Sequence, residues 1–176
     1  MQESPGIIES YLAACAAVQT AFSDMGRELM MARPVPGKWS AMEVLCHLVD
    51  TDLTTAIRIR TALTSISPRL TAATLVELST ILGTDTRDPA EELALFQTIR
   101  TQTVRILRSM PADALDRQAV LVKPGNEEVT RTVRQFLSGY HHACQAPSVV
   151  CRGEASRARP ASVVSITRLC CIERES

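Results

Sequence analysis

Pro34-Val35-Pro36-Gly37-Lys38-Trp39-Ser40-Ala41-Met42-Glu43-Val44-Leu45-Cys46-His47-Leu48-Val49-Asp50-Thr51-Asp52 decides how the rest of the chain is read. Ser40 and Glu43 have the spacing of a capping box, in which each side chain satisfies a main-chain N–H at a helix start. The two prolines and Gly37 ahead of them break any helix, so a loop delivers Trp39 to the helix entrance. From there apolar residues recur at Val44, Leu45, Leu48, Val49, Leu53 and Ile57, the period of one helical stripe. The spacing predicts a helix over 41–64 with His47 beside its stripe. Asp50, Asp52, Arg58 and Arg60 are read as solvated charges on its outer face.

The other helices follow from the same signals. Ser4 and Pro5 read as N-cap and first helical residue. Ile7, Ile8, Tyr11, Leu12, Cys15, Val18 and Phe22 then form one stripe. A short helix fits Met25 to Ala32. Leu70, Leu75, Leu78 and Ile81 suggest another, and Gly83 to Thr86 reads as a turn. Asp88, Pro89 and Glu91 start a third long helix with Leu93, Phe96, Ile99, Thr103, Ile106 and Leu107 on its stripe. Val120 to Val122 reads as a short extended piece and Pro124-Gly125-Asn126 as a turn. A last helix starts near Thr130 or Thr132 and carries Val133, Phe136, Leu137 and Tyr140. The expected fold is all-α, an antiparallel four-helix bundle over 1–146, followed by an irregular, disordered tail over 147–176.

Composition narrows the function classes. The 176 residues suffice for one domain with a real core. Lys and Arg number 19, as do Asp and Glu, so no basic excess marks a nucleic-acid surface. No apolar run reaches the roughly 18 residues of a membrane span. The N-terminus lacks the order of a signal peptide, so a cytoplasmic protein with reduced thiols is expected. Cys15 and Cys46 read as small buried hydrophobes. Cys144, Cys151, Cys170 and Cys171 have no C-x-x-C spacing, a weak basis for a zinc site. Ser40 has no acid–base partner in view and reads as a cap, and Trp39 as a plug at the helix entrance. No catalytic residue is assigned.

The run P-x-P-G-K-W-S-x-x-E-x-x-x-H-L-x-D resembles the opening signature of the DinB/YfiT-like family, with looser similarity from about Ile7 to Tyr140. The resemblance implies a four-helix bundle with a three-histidine site for a divalent metal, Zn or Ni. It also implies a small-molecule substrate, hydrolase or thiol-dependent transferase chemistry, and a homodimer packed through helices. His47 matches the first ligand. The other two belong to an H-x-x-x-H on the last helix, which this chain lacks. After Phe136-Leu137-Ser138-Gly139-Tyr140 come His141 and His142, then Pro147, which ends a helix. Adjacent histidines point about 100° apart, so both cannot face inward. His142 is the nominal second ligand.

The break after Tyr140 has a simple genetic reading. His141 to Val149 can be encoded so that the frame one nucleotide later specifies Ile-Met-His-Ala-Arg-His-His-Gln-Ser. That string restores H-x-x-x-H where the family has it. The codons are chosen for compatibility, and sequencing the gene across the junction tests the frameshift. A bundle with a shortened fourth helix is expected to be less stable, each lost Leu-sized contact costing about 1.5–3 kcal/mol. The alternative to a metal-dependent enzyme is a catalytically inactive scaffold or interaction module that has lost its ligands.

Overall fold

The computed structural model describes residues 6–33, 39–71 and 81–144, with the main chain alone over 139–144. The elements are α1 (Ile7–Phe22), α2 (Arg27–Met31), α3 (Ala41–Thr64), β1 (Arg69–Thr71), α4 (Pro89–Ser109), β2 (Gln118–Val122), β3 (Glu128–Thr132) and α5 (Val133–Cys144). A 3₁₀ turn over Ala112–Asp116 links α4 to β2.

The helix starts carry the predicted chemistry. The Ser40 hydroxyl accepts from the Glu43 N–H at 3.2 Å, and the Glu43 carboxylate accepts from the Ser40 N–H at 2.7 Å. Asp88 accepts from Ala90 and Glu91 N–H, with Pro89 in the first turn. At α5 the same reciprocal pattern joins Thr132 and Gln135. The α1 start differs. Ser4 and Pro5 lie outside the described residues, and Gly6 stands at the N-cap without a side-chain bond.

Two apolar clusters fill the interior. One joins Val18 and Phe22 of α1, Met30 of α2, the first half of α3 and Leu93, Phe96 and Ile99 of α4. The other joins Tyr11, Ile59 and Leu63 to Val104 and Leu107 of α4 and to Val133, Phe136 and Leu137 of α5. The first halves of α3 and α4 therefore share one end of the bundle, and α1 and α5 start at the other. Thus α1 and α5 run antiparallel to α3 and α4. Among the described residues, no side chain of α5 reaches the first cluster.

A small sheet adds to the helical frame, in the order β1–β2–β3. β1 pairs parallel with β2, placing Leu70 beside Leu121, and β2 pairs antiparallel with β3. Leu70 is thus a strand residue, and Leu75 and Leu78 lie outside the described residues. The extended piece at Val120 to Val122 is β2. Gly125 and Asn126 close the hairpin at φ 83° and 63°, the left-handed region these two residue types tolerate best.

The outer face expected for α3 is partly wrong. Asp50 and Asp52 are buried, whereas Leu53 and Ile57 are exposed. The buried seam of α3 runs Leu45, Leu48, Asp52, Thr55, Ile59, Ala62, in alternating steps of three and four. That of α4 runs Leu93, Phe96, Arg100, Thr103, Leu107 in the same steps. An apolar-only reading passes over the two polar seam positions and drifts onto the neighbouring face. The expected boundary at 146 and the tail beyond it lie outside the described residues.

Candidate metal centre

His47 sits in the second turn of α3, half-buried. Trp39, at the helix entrance, packs on the first cluster and sets its indole edge-on to the imidazole, with centroids 5.0 Å apart and planes at 67°. The plug predicted for Trp39 therefore also restricts the ring that would bind a metal.

The donors around His47 on α3 are engaged elsewhere. Glu43 caps the helix and accepts from Arg33 at 2.6 Å and 3.1 Å. Asp50 accepts two bonds from Arg87, at 2.9 Å and 3.0 Å, and the same guanidinium holds Glu92 at 2.6 Å and 2.9 Å. Arg27 donates to the carbonyls of Asp85 and Arg87, fastening the loop that presents Arg87. The Cys46 side chain is fully buried, and desolvation pushes its thiol up to about 12. A neutral, buried thiol is a poor ligand, because metals bind the thiolate.

His142, the expected second ligand, falls within α5. The side chains of His141 and His142 lie outside the described residues. Among the described residues no three His, Cys, Asp or Glu side chains form a metal-binding group. The described donors thus supply one imidazole and not a set.

Sequence reading missed the most deeply buried polar group. Asp52 and Arg100 pair in the interior with relative exposures of 0% and 1%. The Arg100 Nη2 lies 3.1 Å from Asp52 Oδ1, its Nε bonds Oδ2, and its Nη1 donates to the Tyr11 carbonyl at 2.9 Å. The guanidinium carbon lies 4.4 Å from the Tyr11 ring centroid and 4.3 Å from that of Phe96. Burial pushes the Asp52 carboxyl upward, against the opposing pull of Arg100. The partners are 48 residues apart, so only the alternating seam hinted at the pair.

No described helix is long and apolar enough to cross a membrane. No curated protein matches the chain. A solved structure matches with a TM-score of 0.68 and 22% identity, over 82% of this chain and 85% of the other. It is YfiT from Bacillus subtilis, described as a probable metal-dependent hydrolase with an unusual four-helix bundle topology. The likeness extends the fold comparison to nearly the whole described bundle. The model of the DinB superfamily matches residues 11–143, most of the chain, and the protein belongs to that superfamily.

Proposed function

We propose that this protein is a DinB-type, metal-dependent hydrolase or thiol-dependent transferase for a small molecule, with His47 as the ligand contributed by α3. One observation carries the reading: His47 stands on α3 behind a Trp39-Ser40 entrance, with its imidazole held by the indole. YfiT, the similar structure, is described as a probable metal-dependent hydrolase. His142 is the nominal second ligand, Zn or Ni the candidate ion, and a helix-packed homodimer the candidate assembly. His47 would hold the ion from α3, and the chemistry so supplied would be a lowered pKa for a bound water or thiol. The chain's own share is narrower. Trp39 sets its indole edge-on to the ring, and Glu43 and Asp50 on the same part of α3 are held by Arg33 and Arg87.

A second reading is favoured by the engaged carboxylates and by the single imidazole among the described donors. In it the bundle is an inactive scaffold that keeps one ligand of the site. Elemental mass spectrometry on chain purified without a tag separates the two. About one equivalent of Zn or Ni, lost in His47→Ala, supports the metal-dependent reading. Absence of metal in a folded sample, even after incubation with both ions, supports the scaffold.

A further inference from the structure

The alternating seams of α3 and α4 are apolar except at one level. Asp52 and Thr55 on α3 meet Arg100 and Thr103 on α4, all 0–1% exposed. The Thr55 and Thr103 hydroxyls have no hydrogen-bond partner among the described residues. Among the described residues, Arg100 is the largest fully buried side chain. It holds three helices at once, through Asp52 on α3, the main chain of Tyr11 on α1 and the ring of Phe96 on its own helix.

The apolar residues above and below this level make non-directional contacts, and Leu, Ile and Ala at seam positions carry no bond that singles out one alignment from its neighbour one turn away. The fork of Arg100 carries such bonds. Any shift of α3 or α4 by one turn, about 5.4 Å, leaves a carboxylate and a guanidinium buried apart. A single polar seam position that specifies alignment is a known use of such residues in packed helices.

We propose that the Asp52–Arg100 pair is a register key: it selects one axial alignment of α1, α3 and α4, and so fixes the level at which the Trp39–His47 turn is presented. Its contribution is uniqueness of the alignment rather than net stability. The planar fork between two rings is the part that matters, because a lysine ammonium cannot be bidentate and flat together.

The test uses the full chain and its only tryptophan. The double substitution Asp52→Leu with Arg100→Met removes both charges without stranding either, and keeps similar volume. The expected result is a folded, helical protein with more than one Trp39 indole N–H signal in its NMR spectrum, against a single signal in the parent. Spin labels on α3 and α4 should report a broadened distance distribution. A single indole signal with the parent distance would overturn the proposal. So would outright unfolding of the double variant, since that result assigns the pair to stability and not to alignment. Arg100→Lys adds an independent arm. It keeps the charge and should still multiply the indole signals; one signal at the parent position would show that charge alone suffices, contrary to the proposal.

Discussion

The indole of Trp39 meets the imidazole of His47 edge-on at 5.0 Å between centroids. Because Trp39 is the only tryptophan, all indole emission arises beside that imidazole. If His47 takes part in a metal site, Ni²⁺ added to the untagged chain should quench Trp39 emission in a saturable way. His47→Ala should abolish the saturable part while leaving the far-ultraviolet circular dichroism unchanged. Equal quenching in the parent and His47→Ala would detach the metal from His47.

Single substitutions at the buried pair have a different signature from the double one. Arg100→Met leaves the Asp52 carboxylate without its guanidinium at a position with no access to water. Breaking one side of a buried pair typically costs about 3–5 kcal/mol, because the remaining charge is uncompensated. Against a net stability of roughly 5–15 kcal/mol, this should move the denaturant midpoint far down. Urea unfolding of Arg100→Met and Asp52→Leu should show comparable large losses, and the double substitution a smaller one than either. Additive losses in the double variant would mean that the two groups do not act as a pair.

The ends of the helices were legible in the sequence, whereas part of the interior was not. Ser40 with Glu43 and Asp88 with Pro89 each state a local rule, and α3 and α4 start where those rules place them. His47 was legible through the Trp39-Ser40 run. Asp50 and Asp52 were not, because their partners Arg87 and Arg100 are 37 and 48 residues away and charge on a helix ordinarily means solvent. Leu53 and Ile57 were assigned to the stripe for the same reason: once Asp52 is read as outside, the apolar pattern continues most simply through its neighbours. β1 escaped because a three-residue strand carries no period of its own. It exists through pairing with β2, whose partner register is non-local.

The capping box at Ser40 should be measurable without disturbing the core. Ser40 is buried at 2% exposure, but its role runs through one hydroxyl and one N–H. Ser40→Ala removes the bond to the Glu43 N–H and should cost about 0.5–2 kcal/mol. Ser40→Thr should recover most of the loss, since its hydroxyl also caps. Thermal unfolding of the pair checks the order. Equal midpoints for Ser40→Ala and the parent would show that the box contributes nothing at this helix start.

Cys46 gives a pH-dependent prediction with a definite sign. Its thiol is fully buried, and desolvation holds its proton on until about pH 12 in the folded chain. An unfolded cysteine loses that proton near pH 8.5. Between those values the folded state binds more protons than the unfolded one, so this group's contribution to stability falls as pH rises. Below about pH 8 the thiol is neutral in both states and the contribution is fully present. Two measurements follow. Native chain treated with iodoacetamide at pH 8 should leave Cys46 unmodified by mass spectrometry, while the partly buried Cys15 reacts faster. Between pH 8 and 10, denaturant stability should fall less steeply in Cys46→Ala than in the parent, since other groups titrate equally in both. Parallel slopes in the two chains would mean that the folded thiol ionises as easily as the unfolded one, and that the first cluster admits water at Cys46.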